Sequence, residues 1–179
     1  MSFLITAVVF VGSLGVLNLI LMLGVIRRLR EHTALLSARG DDPFFMAAGE
    51  EVGEFTASTT DGETLSRDLL KDETLVAFFS PDCLPCKEKL PKFVEFARAM
   101  AGGRDRVLAA VVGDEDEAAA FAAELSPVAR VVIEKPGDAL NAAFRIRAYP
   151  SVLTVAPDEG GRLLVRNGQV ELDRPVAAI

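Results

Sequence analysis

The chain has 179 residues, half of them hydrophobic, and a formal net charge of −7. Because nucleic-acid phosphates bind basic surfaces, so acidic a chain indicates no nucleic-acid partner. The charge is unevenly distributed: residues 1–40 hold four arginines and a single glutamate, and 15 basic and 25 acidic residues follow. The part beyond residue 40 has a length that suits one compact domain.

The N-terminal segment is apolar, with no charged residue from Phe3 to Ile26. A helix of this length spans roughly 36 Å, enough to cross the hydrocarbon core of a bilayer. A cleavable signal peptide is the alternative, but it requires a basic start, a shorter apolar core and a small-residue cleavage site. We therefore predict an uncleaved transmembrane anchor over residues 1–27, followed by a juxtamembrane helix and linker over residues 28–51.

The charges beside this segment bear on its orientation in the membrane. Arg27, Arg28 and Arg30 follow the apolar run, and no Lys or Arg precedes it. The positive-inside rule then places the rest of the chain in the cytoplasm, although arginines beside a membrane can also reach the lipid headgroups. His32, the only histidine, is expected to be solvated or at headgroup level, with no role as ligand or base.

Residues 52–179 are predicted to form one α/β domain. Two short strands surround a turn at Asp61-Gly62, and buried strands follow at "TLVAFFS" and "RVLAAVVG". Helices are predicted from about Cys83 to Met100 and over "DEDEAAAFAAELS" and "PGDALNAAFRI". A short strand at "ARVVIE" and a closing hairpin of "SVLTVA", "PDEGG" and "RLLVRNG" complete the domain. This order predicts three layers around a central mixed sheet.

The only two cysteines, Cys83 and Cys86, lie where a buried strand meets a helix. A metal site would need two further ligands, and a structural disulfide across so short a loop would remove little chain entropy. A redox pair explains the placement better, because free N–H groups and the helix dipole favour a thiolate at a helix N-terminus. Cys83 is then the outward nucleophile and Cys86 the inward resolving thiol.

Three charged neighbours are candidates for weak tuning of this pair. Asp82 would oppose ionisation of Cys83, whereas Lys87, on the same helix face, would favour it. For each of the two residues, an equally good interpretation is a solvated surface charge that has no effect on Cys83. Glu88 is the third candidate, as a carboxylate that could exchange a proton with Cys86.

Two sequence blocks resemble the thioredoxin superfamily over about Val52 to Arg166. "SPDCLPCKEKLP" after an apolar strand resembles the active-site block, with Pro91 on its helix proline. "FRIRAYPSVLTV" resembles the block in which a cis-proline opens a strand, which implies a cis bond at Pro150, preceded by Tyr149. From the residues alone, an ordinary trans-proline is an open alternative. Within the superfamily, the chain is most similar to membrane-anchored TlpA/ResA/MauD-type thiol–disulfide oxidoreductases.

The resemblance implies a membrane-tethered enzyme that exchanges disulfides with protein cysteines through Cys83 and Cys86, beside a client groove shaped by Tyr149 and Pro150. It implies an extracytoplasmic domain that serves the maturation of another exported protein, against the arginine bias described above. It also implies a membrane electron donor or acceptor, and no metal or cofactor other than the Cys83–Cys86 disulfide. A peroxiredoxin- or redoxin-like peroxidase and a non-catalytic docking or chaperone module are the alternatives.

The sequence departs from the superfamily at three places. Ala77 stands where thioredoxins carry a buried acid, so the Cys86 proton must pass to water or another carboxylate. Asp82 replaces the tryptophan that precedes the first cysteine. The closing "VELDRPVAAI" leaves no clear room for the usual C-terminal helix, so we expect one sheet face to be thinly covered or covered by a partner.

Overall fold

The computed structural model of the protein describes Ile5, Phe10 and residues 12–15, 17–19, 21–22 and 45–173. The chain divides into two compact units, Met1–Asp41 and Asp42–Ile179. In the first unit, the described residues are helical and their large apolar side chains are exposed. None of the helices formed by described residues has the length and hydrophobicity of a bilayer-spanning segment.

Most of the predicted N-terminal organisation lies outside the described residues. This applies to much of the predicted anchor over residues 1–27, to residues 28–44 of the juxtamembrane helix and linker, and to His32. The last part of the predicted linker is described, and Met46 is buried in the core of the second unit.

Within residues 45–173 the second unit is an α/β domain. Its strands are β1 (Thr56–Ser58), β2 (Thr64–Ser66), β3 (Thr74–Phe79), β4 (Val107–Val112), β5 (Arg130–Glu134), β6 (Ser151–Pro157) and β7 (Leu163–Asn167). Its α-helices are α1 (Leu84–Ala99), α2 (Glu115–Leu125) and α3 (Ala139–Ala143). Two short 3₁₀ turns occupy Arg67–Leu69 and Gly103–Arg106.

A five-stranded mixed sheet in the order β5-β4-β3-β6-β7 forms the middle layer. β3 pairs in parallel with β4 and antiparallel with β6, and β4 pairs in parallel with β5. β3 and β4 are buried at every position, as expected of continuous apolar runs covered on both faces. The predicted α/β fold with a central mixed sheet is therefore confirmed.

The two sheet faces carry separate apolar cores. On one face, α1 and α2 pack through Phe79, whose ring centroid lies 5.2 Å from that of Phe93 and 6.4 Å from that of Phe121. On the other, Phe144 beside α3 lies 5.3 Å from Phe78, again between ring centroids. Tilted and edge-on aromatic pairs of this kind add to the free energy of burial. Two cores on one sheet make the three predicted layers.

The predicted first hairpin forms between β1 and β2. Its turn contains Gly62 at a φ of 83°, a left-handed conformation that glycine adopts without steric cost. The N–H of Gly62 donates to the carbonyl oxygen of Thr59 at 2.9 Å and closes the turn.

The outer edge of β7 is paired with residues 49–52. Val165 exchanges two backbone hydrogen bonds with this segment, accepting from Gly49 at 2.8 Å and donating to Glu50 at 2.9 Å. Val52 donates to the carbonyl oxygen of Leu163 at 2.9 Å. Part of the predicted linker thus behaves as an additional short strand of the sheet.

The segment that follows β7 covers part of the sheet face on which α1 packs. Up to Asp173, its described residues form no helix. Val170 donates its N–H to the carbonyl oxygen of Val152 at 2.8 Å, and its side chain is buried in the core with α1. Lys92 on α1 forms an ion pair with Asp173 at 2.6 Å. The chain itself therefore contributes cover to the face that we expected to be thinly covered.

Candidate active site

The two cysteines lie at the carboxyl end of the central strand β3, where α1 begins. Cys83 is the N-cap of α1, and its Sγ accepts a hydrogen bond from the N–H of Cys86 at 3.3 Å. Pro85 occupies the first turn of the helix, where its missing N–H leaves no carbonyl unpaired. Cys83 is half-buried and Cys86 is fully buried. The predicted difference between an outward and an inward sulfur is thus present.

Burial raises the pKa of the Cys86 thiol to about 12. The hydrogen bond with the Cys83 side chain raises that pKa further, whereas a bond with the Ser80 backbone and the positive charge of Lys89 lower it. At neutral pH, Cys86 therefore retains its proton.

The Tyr149–Pro150 pair lies against this site. The peptide bond between the two residues is cis, as the resemblance implied. The Cys83 thiol donates to the carbonyl oxygen of Tyr149 with a sulfur–oxygen distance of 3.4 Å. Tyr149 and Pro150 are both half-buried, so they can also contact a bound partner. The structure therefore brings together Cys83, Cys86, Tyr149 and Pro150.

The three charged neighbours are exposed and are not held in the site. The side chains of Asp82, Lys87 and Glu88 form no hydrogen bond or ion pair with any other described residue. Glu88 lies two positions after Cys86, and helix residues at that spacing do not share a face. Since Cys86 is buried and Glu88 is exposed, the structure does not direct the Glu88 carboxylate toward the Cys86 sulfur.

Sequence reasoning missed Glu134, a carboxylate that is only 6% exposed at the end of β5. Its Oε1 accepts from the N–H of Leu140 at 2.8 Å, and its Oε2 accepts from the N–H of Asn141 at 3.0 Å. Burial raises the pKa of this carboxyl, the two backbone donors oppose the rise, and nearby Asp138 adds to it. The sequence feature that could have indicated Glu134 is the acid at the end of the apolar run "RVVIE", a few residues before a predicted helix.

Asn141 connects Glu134 to Tyr149, whose carbonyl oxygen contacts the Cys83 sulfur. Its Nδ2 donates to the Tyr149 hydroxyl oxygen at 2.7 Å. Burial raises the pKa of Tyr149, the Asn141 bond lowers it, and the negative charges of Glu134 and of Cys86 in its ionised form raise it. The phenol of Tyr149 therefore lies within electrostatic range of both the buried acid and the buried thiol.

The position of the superfamily's buried acid is apolar here. Ala77 is fully buried in β3, where it pairs with Ala109 on β4 and Val152 on β6.

Among the residues that the structure describes, no group of three or more His, Cys, Asp or Glu side chains is placed to hold a metal ion. The site itself contains two sulfurs of unequal exposure.

The sequence pattern of the AhpC/TSA family matches residues 48–160, which include strands β1 to β6, both cysteines and Pro150. The chain belongs to the AhpC/TSA family. A search of the curated proteins finds no match to the chain.

Solved structures share the fold of this AhpC/TSA protein. The thioredoxin domain of a thiol-disulfide oxidoreductase from Bacteroides vulgatus is 18% identical, with a TM-score of 0.54, over 71% of this chain and 92% of that one. A secreted Mycobacterium tuberculosis disulfide oxidoreductase homologous to E. coli DsbE is 19% identical, with a TM-score of 0.52, over 70% and 96% of the two chains. A thiol:disulfide interchange protein from Bacteroides sp. is 17% identical, with a TM-score of 0.54, over 71% and 84%. At these identities, the likenesses establish a thioredoxin-like fold for the AhpC/TSA chain.

Proposed function

We propose that the protein is a membrane-tethered thiol–disulfide oxidoreductase that exchanges disulfides with the cysteines of client proteins. The observation that carries this proposal is the half-exposed Cys83 sulfur at the N-terminus of α1, one turn before the buried and protonated Cys86. The thioredoxin-like fold supports it, and so does the thiol–disulfide oxidoreductase activity for which the structural neighbours are named.

In the proposed reaction, the thiolate of Cys83 attacks one sulfur of a client disulfide and forms a mixed disulfide. The client's other sulfur leaves as a thiolate and takes up a proton. Cys86 then loses its proton to water and attacks the Cys83 sulfur, which forms the Cys83–Cys86 disulfide and releases the client thiol. The client gains two electrons and the cysteine pair loses two, so the reverse sequence oxidises a client. The pair needs no metal or further cofactor.

Tyr149 and Pro150 are proposed to form the wall of the client groove. The Tyr149 carbonyl already contacts the Cys83 sulfur, so an extended client segment bound along this backbone would bring its own sulfur to Cys83. Leu84 is 67% exposed directly after Cys83 and offers an apolar contact to the same client. Asp82 and Lys87 are proposed only as weak charge effects on Cys83. For the Cys86 proton we favour transfer to water over transfer to Glu88, because the Glu88 side chain is exposed and does not share a helix face with the buried Cys86.

The tether and the location are proposed from the sequence. The uncharged run from Phe3 to Ile26 supports a single-pass anchor, and the resemblance supports an extracytoplasmic domain that serves another exported protein. Such a domain would exchange electrons with a membrane donor or acceptor. Arg27, Arg28 and Arg30 oppose this orientation, so a reporter fused to the C-terminus provides the test. Reporter activity confined to the cytoplasm would overturn the proposed location.

The decisive experiment for the activity uses the full-length protein with single-cysteine variants. Cys86→Ser is expected to accumulate mixed disulfides between Cys83 and client proteins in cells, because the resolving step is removed. Cys83→Ser, which keeps the buried sulfur alone, is the matched control and is expected to trap none. Equal trapping by both variants would contradict the assigned roles.

The same variants discriminate the two alternative functions. Peroxide consumption that survives Cys86→Ser would indicate a peroxidase, which needs only the first sulfur. Complementation of a deletion strain by the Cys83→Ser/Cys86→Ser double variant would indicate a docking or chaperone module without turnover.

A further inference from the structure

A chain of hydrogen bonds leads from the buried end of β5 to the half-buried Tyr149 of the proposed client groove. It begins at Glu134, whose two carboxylate oxygens each accept a backbone N–H from α3. A buried carboxylate is costly unless it is fully hydrogen-bonded, so these two bonds hold the start of α3 firmly against the end of β5. Glu134 has no part in the disulfide exchange described above, and its burial therefore requires another explanation.

The second step of the chain is the Asn141 side chain. Its backbone N–H binds Glu134, its Nδ2 donates to the Tyr149 hydroxyl at 2.7 Å, and its Oδ1 accepts from the N–H of Gly137 at 3.3 Å. Asn141 is itself 7% exposed, so its bond to Glu134 is buried and its two side-chain bonds are part-buried. Both ends of the side-chain amide are thus engaged, which fixes its orientation.

The third step reaches the nucleophile. Tyr149 is held at its hydroxyl by Asn141, while its main-chain carbonyl contacts the Cys83 sulfur at 3.4 Å. Its ring packs against both apolar cores. A displacement of α3 would therefore move the Tyr149 backbone, which is the proposed wall of the groove.

We propose that Glu134 is a positioning residue that, through α3 and Asn141, fixes Tyr149 beside Cys83 so that peptide disulfides bind in the reactive geometry. This inference rests on the proposed function. It assigns Glu134 and Asn141 to client binding and not to the reactivity of the sulfur itself. A small reagent that needs no groove reaches Cys83 without them.

The test measures two reactions of the full-length protein in detergent. One is reduction of a peptide disulfide, from which KM and kcat are obtained, and the other is alkylation of Cys83 by iodoacetamide. Glu134→Gln removes one of the two acceptor oxygens, and Asn141→Ala removes the link to Tyr149 while it keeps the backbone bond to Glu134. Each variant is expected to raise KM about fivefold, with the alkylation rate and kcat within about twofold of the wild-type values.

A double-mutant cycle separates positioning from a merely structural role. Because Glu134 is argued to act through Tyr149, Glu134→Gln combined with Tyr149→Phe is expected to raise KM no more than Tyr149→Phe alone. Asp138→Asn is the matched control: Asp138 is exposed at the start of the same helix and accepts from the N–H of Lys135 at 2.8 Å. This control is expected to leave KM unchanged.

The outcomes distinguish this inference from the proposed function. A wild-type protein without any peptide-disulfide exchange would overturn the proposed function, and the inference with it. An active wild type with an unchanged KM in Asn141→Ala, or with additive effects in the cycle, would overturn the positioning role alone. Should Glu134→Gln fail to fold by circular dichroism, Asn141→Ala and Tyr149→Phe supply the same cycle.

Discussion

The N–H of Cys86 donates to the Sγ of Cys83 at 3.3 Å, so the buried cysteine supplies a hydrogen bond to the half-exposed one. The Cys86 sulfur keeps its own proton, because burial raises its pKa to about 12. The two thiols are therefore unequal before any client binds. This inequality leads to the first prediction.

The stability of the reduced protein is expected to fall as the pH rises above about 9. The unfolded chain releases the Cys86 proton near the ordinary value of 9.0, whereas the native state holds it up to about pH 12. Between these values the native state binds more protons than the unfolded state, so the free energy of unfolding decreases with pH. Urea unfolding from about pH 8 to about pH 11 measures the slope.

Two controls isolate Cys86 from other groups that titrate in this range. Cys86→Ser and the oxidised protein both lack the Cys86 thiol, and both are expected to show a shallower decline. The same slope in all three proteins would contradict the assignment to Cys86.

Gly113→Ala is expected to destabilise the protein by about 1–2 kcal/mol. A Cβ at this position would lie 3.1 Å from Cδ of Pro81, which is buried two residues before Cys83. The backbone cannot easily yield, because the Gly113 N–H donates to the carbonyl oxygen of Glu134 at 2.9 Å. Urea unfolding measures the loss, and a lower rate of peptide-disulfide exchange is expected with it.

Gly160→Ala is the control for that substitution. Its added Cβ would lie 3.3 Å from a carboxylate oxygen of Asp158, the end of a side chain that can move. Equal unfolding free energies for the two alanine variants would show that the contact with Pro81 imposes no constraint.

Val170→Ala is expected to cost roughly 2 kcal/mol of stability, since the side chain is buried against the core beneath α1. The adjacent Gln169 is exposed, so Gln169→Ala provides a matched change outside the core. Thermal unfolding of the two variants makes the comparison. A midpoint for Val170→Ala as high as that for Gln169→Ala would mean that this segment does not stabilise the sheet.

The parts of the fold that could be predicted from sequence are those with a local pattern. Continuous apolar runs identified β3 and β4, because strands covered on both faces contain few polar positions. The cysteine pair was found from its spacing and its place before a helix. Tyr149 and Pro150 came from the resemblance, since nothing in their neighbourhood alone separates a cis from a trans proline.

The parts that could not be predicted depend on contacts between distant segments. Glu134 resembles any acid that ends a strand, and only the folded chain shows that α3 supplies two donors to it. The bond from Val170 to Val152 likewise joins a segment without periodicity to β6. Glu88 shows the limit of proximity in sequence: it is close to Cys86 along the chain and so is a candidate proton relay, but its side chain is exposed and at a helix spacing that does not share a face with Cys86.

The pairing of residues 49–52 with β7 has a consequence for how the protein meets other chains. An unpaired outer strand offers a row of backbone donors and acceptors onto which a foreign strand can add, and this is a common route to aggregation. Here Val165 and Leu163 already direct those groups to the protein's own chain. The outer edge of β7 is therefore occupied by the chain itself, and a foreign strand meets only a segment of four residues, which disfavours self-association through this side of the sheet.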